Sequence, residues 1–219
     1  MSPLTTIVLL WFGFAGSHLL LSSVPVRRRL VARLGEQPFR GLYSLVAFAF
    51  FVPLVLTYFT HKHGGPTLWT LPHGPALIAT VYVMMGFAFV LIAAGLIQPS
   101  PAFVVPGDGA PRAVHRITRH PVMMGLALVG LAHLLPNGSA TDVAFFGGVV
   151  LFALIGAAHQ DRRKLADGDD RFRRFYDATP FFPFTGRRLG NLGGLLPAAA
   201  VGVAAACIVR YFHASWFGG

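Results

Sequence analysis

Long runs nearly free of charge, separated by segments that hold almost all the arginines, constrain this chain more than any other feature. They run from about Leu4 to Val24, Gly41 to Phe59, Ala76 to Ile97, Pro121 to Leu135, Val143 to Ala158 and Leu192 to Phe212. At ~1.5 Å of rise per helical residue, ~20 apolar residues match the ~30 Å hydrocarbon core of a bilayer. A core helix of a soluble domain keeps one polar face, whereas these runs are apolar all round. The expected fold class is therefore all-α, a polytopic membrane bundle of about six transmembrane helices within a single transmembrane domain, residues 1–219. Pro53 predicts a kink in the second span. The fourth span is short, so it either starts earlier, near Ile117, or sits in a thin region. The chain is 54% apolar and only 12% charged, where a soluble domain carries about 25% charge.

The basic residues set the orientation. The loop after the first span holds Arg27, Arg28, Arg29, Arg33 and Arg40, the third loop holds Arg112, Arg116 and Arg119, and the fifth holds eight more, ending with Arg187 and Arg188. The second loop has Lys62 alone and the fourth has none, so sixteen of the eighteen Lys and Arg share one side. That side reads as the cytoplasm, which puts both termini in the periplasm. The net charge of +10 is then assigned to anionic headgroups and topology, with no nucleic-acid partner. The first run lacks a basic segment before it and reads as a span, not a cleaved leader. Between spans three and four, Pro99, Pro101, Pro106 and Pro111 predict an irregular linker. The fifth loop, residues 159–190, is expected in the cytoplasm. Its Phe172, Phe175 and Tyr176 recur at helical spacing among arginines, predicting a short interfacial amphipathic helix with its aromatic face in the lipid.

Ionisable groups at membrane depth are functional candidates by default. His18 lies about 10 Å and His133 about 20 Å above the cytoplasmic boundary of their spans. Two imidazoles on different spans suit axial ligation of a haem iron. Gly13 and Gly16 near His18, with Gly125 and Gly130 near His133, leave room for a flat ligand. The alternative is that each histidine hydrogen-bonds a neighbouring helix. His61 and His63 form an H-x-H pair without a third ligand, and His73 reads as equally solvated. His213 reads as interfacial beside Trp216. Arg116, Arg119 and His120, with Arg112 and His115, form a cytoplasmic group that reads as an anion or headgroup site, or as plain basic loading of an inner loop. No G-x-S-x-G, Gly-rich phosphate loop or H-E-x-x-H is present. All eight acids are expected in loops, so no carboxylate proton relay through the membrane is expected. The single cysteine, Cys207, excludes an internal disulfide and a C-x-x-C-H haem attachment.

Several strings extend this reading. Gly16-Ser17-His18, Phe39-Arg40-Gly41-Leu42-Tyr43-Ser44, Arg116-Ile117-Thr118-Arg119-His120-Pro121, Leu131-Ala132-His133 and Asp161-Arg162-Arg163 occur in this order and resemble the NnrU family. The resemblance implies a bacterial inner-membrane protein associated with nitric oxide and denitrification. It also implies kinship with the plant 15-cis-zeta-carotene isomerase, a membrane enzyme with haem b. Carried over, His18 and His133 are the axial ligands of a non-covalent haem b. If the chain is an enzyme, it is a redox-gated isomerase in which one histidine leaves on reduction and admits a small apolar substrate or nitric oxide. A non-enzymatic haem or nitric-oxide factor is the other role the resemblance allows. Arg119-His120-Pro121 also resembles membrane methyltransferases of the isoprenylcysteine and phospholipid type, which hold S-adenosylmethionine with this motif and a later acidic pair. Here Val122 and Met123 replace the aromatic, and Asp161-Arg162 replaces the pair, setting an arginine against a cationic cofactor.

Overall fold

The computed structural model describes residues 1–103, 107–186 and 191–217. Pro106, Arg187 and Arg188 of the expected loops lie outside them, as does the side chain of Trp216. Among the described residues the regular structure is helical, with one isolated bridge, Thr67 to Ser139. In chain order the helices are α1 (Pro3–Ser22), α2 (Val24–Leu34), α3 (Glu36–Thr60), α4 (Pro75–Ile97), α5 (Ala113–Ile117), α6 (Pro121–Leu134), α7 (Ala140–Ala166), α8 (Asp170–Ala178) and α9 (Leu196–Phe217). A 3₁₀ turn over Gly193–Leu195 leads into α9. Five helices, α1, α3, α4, α7 and α9, are long and apolar enough to cross a membrane, and α6 is a shorter apolar helix. Their outer faces carry Phe12, Val83 and Leu196, each more than 70% exposed, a surface suited to lipid rather than water. The chain is thus an all-α membrane bundle.

Local chemistry explains where these helices start and stop. Ser2 caps α1 by accepting the Thr5 N–H at 3.2 Å, and Pro3 occupies the first turn, where a missing N–H costs nothing. The basic segment after α1, expected as a loop, is the helix α2. Gly35, with φ of 85°, turns the chain from α2 into α3, a backbone state glycine adopts without strain. α3 consequently begins five residues before the expected start. Glu36 in its first turn takes two hydrogen bonds from Arg27 and one from Arg40. α3 runs through Pro53 as one helix. α7 continues eight residues past its expected end, carrying Gln160 and Asp161 on helix rather than loop.

The contacts divide the chain into two compact units, Met1–Leu71 with Pro136–Gly148, and Pro72–Leu135 with Val149–Gly219. In the first, Ile7, Trp11 and Phe14 of α1 are buried along with Leu54 and Tyr58 of α3. The Tyr58 ring stacks on Phe145 at 4.1 Å. The loop after α3 is fastened to the start of α7: Leu68 N–H donates to Gly138 O at 2.7 Å, and Ala140 N–H to Pro66 O at 2.9 Å. In the second unit, α4 packs on α6 and α9 around Leu91, Ala94, Met124, Ala157 and Ala198. Gly202 of α9 lies so close to α4 that a Cβ there would sit 2.6 Å from Val90 Cα, the small-residue contact typical of membrane helices.

Candidate functional site

The two deep histidines are presented by the same local device. His18 Nδ1 donates to Phe14 O at 3.0 Å, and His133 Nδ1 donates to Val129 O at 2.8 Å, each one helical turn back. That bond puts the proton on Nδ1 and the lone pair on Nε2, the tautomer a metal takes, and it fixes the ring direction. In the first unit, the His18 ring lies 4.3 Å from Phe14 and 4.9 Å from Tyr43. In the second, His133 has a near-parallel neighbour in His213, at 6.4 Å and 28°. Of the glycines expected to leave room, Gly13 is filled by the Phe50 ring and Gly125 by Ile92 and the Ala88 carbonyl, whereas Gly16 faces open space.

The cytoplasmic group separates into buried and exposed members. Arg116 is exposed. Arg119 and His120 are 7% and 4% exposed and converge on Asp161 of α7. Arg119 Nε donates to Asp161 Oδ2 at 2.8 Å, and His120 Nε2 meets Asp161 Oδ1 at 2.7 Å. Arg119 Nη1 donates to Thr179 O at 2.8 Å, and its guanidinium lies 4.1 Å from the Tyr176 ring and 5.2 Å from that of Phe181. Thr118 Oγ1 donates to Phe181 O at 2.6 Å, and Arg119 N–H to Pro180 O at 2.8 Å. The segment after α8 is thereby strapped to the start of α6. His115 belongs to the same region but is buried on Phe175, and its Nδ1 accepts the Arg112 N–H at 3.1 Å. Burial lowers its pKa to about 4, partly opposed by the Gln98 carbonyl, so it adds no charge to an anion site at neutral pH. Beside the cluster, a cavity of about 60 Å³, open on one side, is lined by Ser100, Phe103, His120, Val122, Met123 and Gln160, among others.

Two expectations are corrected. The aromatic face of α8 is not in lipid: Phe172 and Phe175 are 0% and 1% exposed, packed with Ala102, Leu165 and Tyr176. Arg171, Arg173 and Arg174 occupy its exposed side. Nor do all the acids lie in loops, since Asp142 and Asp161 are buried within α7. In the first unit Asp142 accepts hydrogen bonds from Tyr58 at 2.9 Å, His63 Nδ1 at 3.0 Å and Ser139 at 2.6 Å. An acid just inside an apolar helix, after Ser139-Ala140-Thr141, was the signal for this hub. His61 Nδ1 sits on Thr57 O at 3.0 Å, and His73 is exposed. Among the described residues, no group of three or more His, Cys, Asp or Glu is arranged to hold a bare metal ion.

The strings that carry these contacts run the length of a known family: the model described as NnrU protein matches residues 6–219. The chain belongs to the NnrU family. It is similar to the chloroplastic 15-cis-zeta-carotene isomerase of Arabidopsis thaliana, 26% identical over 193 residues, which cover 84% of this chain and 50% of the relative. The chloroplastic 15-cis-zeta-carotene isomerase of Zea mays is 27% identical over 159 residues, 69% of this chain and 42% of its own. The chain spans about half the length of the curated relatives it matches. No solved structure gives a significant match.

Proposed function

We propose that this NnrU-family chain is a haem b protein of a bacterial inner membrane, with His18 and His133 as axial ligands and isomerase-like chemistry on a small apolar substrate. The observation that carries the reading is the shared presentation of the two rings, each with Nδ1–H held by the carbonyl of the preceding turn. That second bond orients the imidazole and raises its basicity as a ligand. Bound there, haem supplies a redox-active iron whose ligation can change with oxidation state. The protein's part is to orient each Nε2 atom, and at His18 the Phe14 and Tyr43 rings pack against the imidazole and exclude water. The carotene isomerase activity for which these relatives are named supports an unsaturated apolar substrate, and the family resemblance supports nitric oxide as a second small ligand. S-adenosylmethionine fits less well, because Asp161, the acid in reach of the Arg119-His120-Pro121 motif, is already bonded by Arg119 and His120.

The test is an absorption spectrum of the detergent-purified protein expressed with ample haem, oxidised and then dithionite-reduced. The wild type is expected to show a low-spin spectrum, with haem extractable by acidic acetone because no thioether anchor exists. His18→Ala and His133→Ala should each abolish that spectrum, and His63→Ala should leave it intact. A folded but colourless wild type overturns the proposal.

A further inference from the structure

We propose that the cavity at the start of α6 binds the carboxyl group of an amphiphile, with His120 and the first turn of α6 as its polar contacts. The inference is independent of haem. Asp161 accepts from Arg119 through Oδ2, and its Oδ1 is likewise an acceptor, so the His120 Nε2 facing it at 2.7 Å is the donor. In the neutral ring the lone pair then lies on Nδ1. Among the described residues Nδ1 has no hydrogen-bond partner, although the side chain is only 2% exposed and lines the cavity. The second set of polar groups is backbone. Helix α6 has no side-chain cap, and among the described residues the Val122 and Met123 N–H groups have no acceptor. These are the orphan donors of a 14-residue helix, with the positive end of its dipole behind them. Gly95 of α4 packs closely on this turn, since a methyl there would sit 2.7 Å from Val122 Cγ2 and 3.1 Å from Val122 N.

The site therefore sets an acceptor, His120 Nδ1, beside fixed N–H donors. A carboxyl group satisfies both. As the acid, its O–H donates to Nδ1 while its carbonyl accepts from the backbone. As the carboxylate, the proton has moved to Nδ1 and the same two contacts persist, now charge-assisted and stabilised by Asp161 behind the ring. A phosphate is a poorer match, because the charge of Arg119 is already met by Asp161 and one imidazole is left to face it. Phe103, Pro121, Val122 and Met123 make most of the remaining wall apolar, beside Ser100 and Gln160, so an alkyl chain on the carboxyl is favoured over a bare small anion.

The experiment is isothermal titration of the full chain in detergent with octanoate, octanol and acetate, each corrected for partition into protein-free micelles. Octanoate is expected to bind saturably, one per chain, and acetate and octanol about tenfold more weakly or not at all. His120→Gln should weaken octanoate by about tenfold, the effect of one lost hydrogen bond to a charged group. Because His120 also bonds Asp161, Val122→Trp provides a second variant that fills the cavity and leaves the Arg119–Asp161 pair alone. It should abolish octanoate binding with helical content unchanged. No saturable octanoate binding to the wild type, equal binding of octanol or acetate, or unchanged affinity in Val122→Trp each overturns the proposal.

Discussion

At the scale of single residues, Asp161 accepts from Arg119 and His120 in a site with almost no water contact. Removing the acid leaves a buried guanidinium whose only other hydrogen bond among the described residues is to the Thr179 carbonyl. Asp161→Ala is accordingly expected to destabilise the fold by about 3–5 kcal/mol, whereas the double change Arg119→Met with Asp161→Leu should cost far less. Thermal unfolding of the three proteins in one detergent separates these outcomes, and equal losses in the single and double variants would sink the argument. His115 makes a second case through protons. Its pKa is lowered from 6.5 to about 4, chiefly by burial, so the folded protein refuses a proton that the unfolded chain accepts. Its contribution to stability is complete above about pH 6.5 and is lost progressively as the pH falls towards 4, by up to roughly 3 kcal/mol. His115→Phe should flatten that part of the stability profile. A wild-type midpoint that stays constant from pH 7 to pH 4, against a flat variant, would contradict this.

At the scale of elements, α8 shows what periodicity can and cannot say. Phe172, Phe175 and Tyr176 announce an amphipathic helix, and the helix forms. Spacing alone does not say whether an aromatic stripe meets lipid or protein, and here it meets Ala102 and Leu165. Phe172→Ala should therefore behave as a core truncation, costing about 3–5 kcal/mol. A midpoint within a degree or two of wild type would return the stripe to the membrane surface. The long spans were legible because hydrocarbon demands unbroken apolar length, a signal no tertiary contact has to complete. Helix α2 was hidden because its arginines looked like loop charge, although Pro25 at its start and Gly35 at its end mark a helix. The extension of α7 past Ala158 was hidden for the same reason. That error removed Asp161 from the helix and so concealed its meeting with Arg119 and His120. The deep histidines were legible as candidates by residue type and depth, but their carbonyl-held tautomer is a matter of rotamer that sequence does not encode. Asp142 was missed because its three partners come from Tyr58, His63 and Ser139, two of them some 80 residues away.

At the scale of the whole molecule, the number of crossings turns on α6. Its 14 residues rise only about 21 Å, short of the hydrocarbon thickness. The charge distribution and the loop pairing nevertheless both favour a crossing. Were it to stay on one side, Arg162, Arg163, Arg171, Arg173 and Arg174 would face the compartment opposite to Arg112, Arg116 and Arg119, against the usual bias. Independently, the loop after α3 is tied to the segment after α6 through Leu68 N–H to Gly138 O and the Thr67–Ser139 bridge. Those two segments must share a side of the membrane. Since α4 leaves that side and the chain is back on it by Gly138, α6 makes the return. Reporter fusions should therefore read periplasm at Lys62, Asn137 and Gly219, and cytoplasm at Arg33 and Arg163. A cytoplasmic reading at Asn137 would remove α6 from the count and reverse the side assigned to Arg163. A cytoplasmic reading at Gly219 alone would instead remove α9.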